Sequence, residues 1–373
     1  MSKKITDYFR KYLQRFKEYV PGEQPRGDEW LKLNTNENPY EPPVSIVDDI
    51  KAGLKNLRKY PDIDAVELKK QIAYNFPVER GLALKMDNIV VGSGEDEILD
   101  MLFKTFVDPG DKVVTFNPSY GMYKVFCDIY GGTLVEIPLD SSFDIPADKV
   151  MAAEGKIMFI CSPNNPTGKR VSNDLIDKTC KSFDGIVVID EAYCHFAKDT
   201  AISLLKDHEN LIIMRTFSKA FSLAALRVGF LMTMNRDIVK AVRKVKLPYN
   251  VNLAGQVAAL SCLKHIEEVN EIIERIKGER DKLWERLNEM PEAKVLPSES
   301  NFLLMKVDVG DKARNTKVNL KLYWELKKRK VLVRMYSARN MQEFLRISVG
   351  DEMANERLVK EMKECMEIAM QQA

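Results

Sequence analysis

The chain has 373 residues, 45% of them hydrophobic and 30% charged, with 57 basic and 55 acidic side chains giving a formal net charge of +2. That length exceeds one small core and predicts a large domain with a smaller companion. No window approaches the roughly 18 uninterrupted apolar residues of a membrane span, and the balanced charge offers no footprint for nucleic acid or anionic lipid, so a small-molecule partner is favoured.

The opening run MSKKITDYFRKYLQRF interleaves charge with apolar side chains. It lacks the apolar core and small-residue cleavage site of a secretory signal, so a cytoplasmic location is expected. Prolines at 21, 25, 39, 42 and 43 mark residues 1–45 as an extended arm, expected to pack with the small domain. From Ile89 onward short β-branched runs alternate with helical periodicity, the pattern of parallel strands joined by crossover helices. The predicted strands are 89–92, 112–116, 133–137, 157–161, 186–190, 211–215 and 228–232. Seven strands make a large central sheet in an α/β fold, within a large domain spanning 46–252. Helices fit between them: 95–106 opens on three acids that suit a helix N-terminus, and Ser172 can cap a segment running to Phe183.

Beyond Pro248 the texture becomes a long charged amphipathic stretch, 253–287, with acids and bases spaced as intrahelical pairs. It predicts a linking helix within 253–290. Strand-like runs at 302–307, 331–333 and 345–349, a helix at 318–328 and a last helix at 355–370 then make a compact α+β unit, 291–373. The six cysteines contain no C-x-x-C pair, which suggests neither a zinc site nor a disulfide framework. His195, His208 and His265 are too few and dispersed for a metal site.

Three features each end a predicted strand: SPNNPTG at 162–168, DEAY at 190–193, and Ser218-Lys219. Ligands of open α/β sheets bind at the carboxyl ends of strands, so all three should converge on one cleft. Lys219 follows the apolar run LIIM, and partial desolvation there favours the neutral amine that an imine-forming nucleophile requires. Arg227, eight residues on, carries a planar guanidinium suited to bidentate phosphate binding. Asp190 ends the strand GIVVI, where a buried carboxylate needs a cationic partner. Asn165 sits in a proline-stiffened turn that can aim its amide outward, and Tyr120 in NPSYGMY offers an aromatic face to a flat ring. GSGEDE at 92–97 is a strand-to-helix turn whose amides could hold a phosphate, though it does not complete G-x-G-x-x-G. Taken singly, each has an ordinary reading: a surface lysine, a capping aspartate, a turn, a core tyrosine. IVVIDEAY also reads as a Walker-B-like strand of a P-loop ATPase, but G-x-x-x-x-G-K-[ST] occurs nowhere in the chain.

The order GSGEDE, PSY, NNPTG, DEAY, SKAFSLAALRVG and FLRISVG resembles the class I/II (fold type I) pyridoxal 5′-phosphate (PLP) dependent aminotransferases over nearly the whole chain. Within them, LNTNENPY, KYPD and RTFSKAF are similar to the histidinol-phosphate aminotransferases. The resemblance implies three catalytic residues. Lys219 tethers PLP as an imine, Asp190 keeps the pyridine nitrogen protonated so that the ring is an electron sink, and Tyr193 flanks O3′ together with Asn165. It further implies that Tyr120 stacks on the ring, that Thr216, Ser218, Arg227 and the turn Gly94-Glu95-Asp96 hold the phosphate, and that Tyr60 reaches in from the other subunit of a homodimer. Arg346 matches the arginine that grips the substrate's acidic end, while Arg334 and Tyr19, with Asn165 and Tyr60, match substrate-contacting positions. The implied reaction is transamination of L-histidinol phosphate with 2-oxoglutarate, giving imidazole acetol phosphate and L-glutamate in histidine biosynthesis. An aromatic amino-acid aminotransferase and a threonine-phosphate decarboxylase share the same pattern. Two departures stand out. Glu95 replaces the usual Ser or Ala, and a carboxylate there repels the cofactor phosphate unless it points away; Ser222 and Ala225 replace the usual glycines after the lysine.

Overall fold

The computed structural model describes residues 4–10, 21–27, 29–76 and 82–372. A short strand β1 (Leu31–Lys32) precedes helices α1 (Val44–Gly53) and α2 (Val66–Asn75). Strands β2 (Ile89–Gly92), β3 (Lys112–Asn117), β4 (Thr133–Pro138), β5 (Ile157–Cys161), β6 (Ile186–Asp190), β7 (Leu211–Thr216) and β8 (Gly229–Met232) follow. Between and after them run helices α3 (Gly94–Phe106), α4 (Met122–Tyr130), α5 (Ala147–Met151), α6 (Asn173–Ser182) and α7 (Arg236–Val245). The seven strands form one sheet in the order β2-β8-β7-β6-β5-β3-β4. All residues of β5 and β7 are buried, as expected for central strands covered by helices on both faces. The two faces carry separate apolar cores, one including Ile160, Ile189 and Phe230, the other Phe103, Phe159 and Leu231. The Ser172 hydroxyl accepts the Leu175 amide at 3.2 Å and starts α6 at the cap that its residue type predicts.

One strand departs from the parallel pattern. β8 runs antiparallel to both β7 and β2, while the remaining pairs are parallel. The cause is local: the connection 217–228 holds only a short 3-10 turn, Ala224–Leu226, and no crossover helix that could return the chain to start a parallel strand. The reversal has a geometric result. Thr216 pairs with Gly229, and Gly229 with Gly92, so the end of β7, the start of β8 and the end of β2 lie side by side at the carboxyl edge of the sheet.

After β8 come α8 (Leu253–Lys264) and α9 (Ile266–Asn288), where the sequence predicts one continuous amphipathic run. The break is His265, which leaves helical geometry at φ −104°, ψ 38°. Its imidazole lies against Asp49 at 3.4 Å and Glu268 at 3.2 Å. Strands β9 (Ala293–Val295), β10 (Phe302–Val307), β12 (Arg334–Met335) and β13 (Phe344–Ser348) then form a second, antiparallel sheet. Helices α10 (Lys312–Lys328) and α11 (Glu352–Gln371) accompany it, and both begin earlier than predicted because Asp311 and Asp351 cap them, accepting the amides of Arg314 and Ala354. β1 pairs in parallel with β11 (Val331–Leu332). From there the chain passes close to β13, where the Leu33 carbonyl accepts the Ser348 amide at 2.9 Å. Residues 33–40 thus form a strap running from the small sheet toward Lys219.

Candidate active site

At the carboxyl edge of the large sheet, facing β12 and β13, lies a cavity of about 370 Å³. Its floor is Asp190, 3% exposed at the end of β6. One carboxylate oxygen accepts the Tyr123 phenol at 2.5 Å, and the other accepts the Ala192 amide at 3.1 Å. Both donors are neutral, and burial pushes the Asp190 pKa up against the pull of those two bonds. A cation placed in the cavity above Asp190 would favour its charged form, which is what a protonated pyridine nitrogen supplies.

Glu95 does not point away from this site. It lines the cavity with Oε1 buried and without a hydrogen-bond partner among the described residues. Burial, then the neighbouring carboxylates of Asp190 and Asp96, hold its pKa well above the usual range. The neutral acid is therefore favoured, and the repulsion expected from a carboxylate at this position is relieved by protonation.

Lys219 enters from the loop after β7. Its Nζ lies 3.4 Å from the Thr35 carbonyl on the strap and 5.9 Å from the centre of the Tyr193 ring. Burial, with the Arg346 guanidinium adding to it, lowers its pKa from 10.5 to about 8 against the opposing charges of Glu37 and Asp96. The desolvation expected from LIIM is thus present. Asn38 Nδ2 ties the strap to the carbonyls of Lys219 and Ala220 at 3.2 and 3.1 Å. Ser222, in place of the usual glycine, adopts a left-handed backbone at φ 57° and donates its hydroxyl to the Tyr40 carbonyl at 2.9 Å. Ala225 lies exposed in the following 3-10 turn.

The anion cradle is assembled by the strand reversal. Thr216 Oγ1 lies 3.0 Å from Ser218 Oγ and accepts the Ser218 amide at 3.1 Å. Arg227 Nη1 stands 3.5 Å from Ser218 Oγ, and Nη2 donates to Asp96 at 3.0 Å. Tyr120 donates to the other Asp96 oxygen at 3.0 Å and meets Tyr123 edge-on. A Cβ on Gly94, whose φ is +76°, would lie 2.6 Å from Arg227 Nη2, and one on Gly229 would lie 2.6 Å from the Glu95 amide nitrogen. The two glycines therefore allow the N-terminus of α3, Arg227 and the Ser218 hydroxyl to meet around one space, a combination of helix amides and guanidinium suited to phosphate.

Opposite the cradle, Arg346 is 8% exposed and donates to Asn165 Oδ1 and to the Asn34 carbonyl, each at 2.7 Å, while its Nε is buried without a hydrogen-bond partner among the described residues. Arg334 also lines the cavity, and its Cα is the cross-strand partner of Arg346. Two cations directly opposite on one sheet face repel each other, which marks this end of the cavity for an anion. Tyr193 closes the side: its phenol accepts Asn36 Nδ2 at 3.0 Å, and burial raises its pKa.

Of the residues singled out from sequence, Gly94 faces the cradle through Arg227, and Glu95, Asp96, Tyr120, Asn165, Asp190, Tyr193, Thr216, Ser218, Lys219, Arg227, Arg334 and Arg346 line this one cavity. Tyr60 does not; it stands 81% exposed, stacked on Tyr249 at 4.5 Å. Tyr19 lies outside the described residues. Sequence reasoning missed Tyr123 and the strap residues Asn34, Thr35 and Asn36. Tyr123 carried a signal, since it falls in the same run NPSYGMY, three residues after Tyr120. Among the described residues no cluster of ligating side chains suits a metal, and no helix is long and apolar enough to cross a membrane.

The donor set fits pyridoxal phosphate group by group: a buried carboxylate held by neutral donors for the ring nitrogen, a lysine of lowered pKa, and a cradle kept open by two glycines. Comparison with known proteins agrees. The model of the family "Aminotransferase class I and II" matches residues 28–362. The histidinol-phosphate aminotransferase of Rippkaea orientalis is 35% identical over 349 residues, 93% of this chain and 95% of that protein. The crystal structure of the histidinol-phosphate aminotransferase from Clostridium acetobutylicum superposes with a TM-score of 0.81 at 26% identity, covering 90% of this chain and 99% of that one. That from Sinorhizobium meliloti, in complex with pyridoxal-5′-phosphate, shares the fold with a TM-score of 0.85 at 22% identity, over 97% and 98% of the two chains. The chain therefore belongs to the class I and II aminotransferases and is a pyridoxal 5′-phosphate-dependent enzyme.

Proposed function

We propose that the enzyme transfers the amino group of L-histidinol phosphate to 2-oxoglutarate, producing imidazole acetol phosphate and L-glutamate, a step of histidine biosynthesis. The carrying observation is the pair Arg334 and Arg346, directly opposite each other on β12 and β13 at the end of the cavity away from the cradle. The two acidic substrates offer a phosphate in one case and a carboxylate in the other, and a guanidinium fork accepts both. The names of the relatives at about one-third identity support the same substrate.

When bound, the cofactor supplies an aldehyde carbon and an electron-withdrawing ring. Asp190 holds the proton on the ring nitrogen, with Tyr123 and Ala192 fixing the carboxylate. Asn165 and Tyr193 address the ring's O3′, and Tyr120 packs against the ring face. Ser218, Thr216, Arg227 and the amides of the turn Gly94-Glu95-Asp96 hold the phosphate. Lys219 would be both tether and base: its amine would move a proton at the substrate's Cα, and a pKa of about 8 leaves an appreciable neutral fraction near neutrality. Tyr60 completes the site of a partner subunit in a homodimer, which accounts for its exposure within one chain, and Tyr19 joins Arg334 on the substrate phosphate. We further place the enzyme in the cytoplasm, with an arm at 1–45, a cofactor domain at 46–252, a link at 253–290 and a small domain at 291–373.

The test is a single-turnover measurement on the cofactor-loaded enzyme with three amino donors. Histidinol phosphate should convert the bound cofactor to its aminated form far faster than phenylalanine, and Arg334→Ala should weaken the phosphorylated donor selectively. Equal rates with phenylalanine, or carbon dioxide release from phosphothreonine, would overturn the assignment.

A further inference from the structure

The phenol of Tyr193 is useful to a cofactor oxygen only if its hydrogen points there, and a hydroxyl hydrogen turns freely unless its neighbours dictate a direction. Three neighbouring groups dictate it. Asn36 Nδ2 donates to the phenolic oxygen at 3.0 Å, so the phenol hydrogen cannot occupy that side. The Asn36 amide could in principle be reversed, with its oxygen facing Tyr193. Ser348 prevents this: its Oγ accepts the Asn36 backbone amide at 2.8 Å and donates to Asn36 Oδ1 at 3.1 Å, whereas the reversed amide would leave the buried Ser348 hydrogen without an acceptor. Asn36 is immobilised at its remaining atom as well, since its carbonyl accepts Asn301 Nδ2 at 3.0 Å. Its backbone is left-handed at φ 55°, a conformation in which Asn is favoured over other non-glycine residues.

We propose that Asn36 is a positioning residue that turns the Tyr193 hydroxyl toward the cofactor's O3′, and that Ser348 sets the orientation of Asn36. The chain of donors runs one way, from the small sheet to the strap and from the strap to the phenol. It also joins two functions, because Ser348 lies two residues from Arg346 on β13, on the same face of the strand. The strand that grips the substrate anion is then the strand that fixes the phenol. This inference rests on the reading that Tyr193 faces O3′, which the test examines separately.

The readout is the pH midpoint at which the visible absorbance of the bound cofactor changes in the loaded enzyme without substrate. A donor to O3′ favours the form with negative charge there, so losing that donor raises the midpoint. Tyr193→Phe measures the whole effect. Asn36→Asp keeps the shape and the left-handed backbone but presents only acceptors, which draws the phenol hydrogen away from O3′; its added charge also acts by itself, and that part is measured by making the same change in Tyr193→Phe. The expected result is a rise of about one pH unit, tenfold in the titration constant, beyond the rise that Asn36→Asp causes in the Tyr193→Phe background. Ser348→Ala should raise the midpoint by less, and Ser348→Thr, which keeps the hydroxyl, should restore it. Equal shifts from Asn36→Asp with and without Tyr193, or an unchanged midpoint in Ser348→Ala, overturn the proposal. If Tyr193→Phe itself leaves the midpoint in place, the placement of Tyr193 at O3′ is what fails.

Discussion

Lys219 gives the most direct test of the site's electrostatics. An ordinary lysine of pKa 10.5 is neutral in roughly 0.03% of molecules at pH 7, whereas one at about 8 is neutral in roughly 9%, a gain of about 300-fold in attacking amine. The gain is set by burial, aided by the Arg346 charge and opposed by Glu37 and Asp96. Trace acetylation of the cofactor-free protein across pH 6 to 10.5, quantified on the Lys219 peptide by mass spectrometry, reads that fraction directly. Reactivity should climb tenfold per pH unit and level off near pH 8. The neighbouring charges add a signed check: Arg346→Gln should move the midpoint upward, and Glu37→Gln should move it downward. A midpoint at or above 10 in the unaltered protein, or shifts of the opposite sign, would refute the account of a desolvated amine tuned by these side chains.

Other consequences reach beyond the lysine. His195 is packed edge-on between Phe76 and Phe221 with Nε2 buried and unpartnered, and burial lowers its pKa from 6.5 to about 3. The folded state therefore refuses a proton that the unfolded state accepts below 6.5. Stability should fall by about 2 kcal/mol between pH 6.5 and 4.5 from this group alone, and urea melts of His195→Phe should show a correspondingly shallower acid loss. The buried pair Arg215–Glu191, joined at 2.9 and 2.7 Å, predicts that Glu191→Ala strands a guanidinium and costs about 3–5 kcal/mol in thermal or urea unfolding. Gly229→Ala should weaken cofactor binding at least about tenfold, read by fluorescence titration, because the new Cβ forces the N-terminus of α3 off the cradle. Gly278→Ala meets open space within α9. It should instead raise stability by about 0.5–1 kcal/mol and leave cofactor affinity unchanged.

Much of the fold was legible because buried parallel strands are written as unbroken apolar runs: β5 and β6 coincide with the predicted spans to the residue. The placement of Asp190 and Lys219 in one cavity was legible for a related reason, since both follow such runs and share the edge to which those strands point. What escaped notice depends on contacts across great sequence distance. Nothing near Asn36 in the sequence points to Tyr193, 157 positions away, or to Ser348, 312 positions away. The break at His265 likewise depends on Asp49, which helical periodicity cannot see. The direction of β8 was available in principle, because residues 217–228 are too short for a crossover, but the apolar run VGFLM looks the same in either direction. Glu95 shows a different limit: its position in the motif was clear, while its protonation depends on the two other carboxylates that the fold brings beside it.

The reversed strand has a last consequence. Because Thr216 and Gly229 are held in register, both ends of the loop carrying Lys219 and Arg227 are clamped to the same rung of the sheet. The cofactor carries its reactive carbon and its phosphate-bearing arm on neighbouring ring positions, and in the proposed roles the loop would hold an amine for one and a guanidinium for the other. Segment 217–228 would thus work as a caliper whose jaws are fixed by hydrogen-bonded backbone. Lengthening it by even one residue would leave the sheet intact while spoiling the gauge.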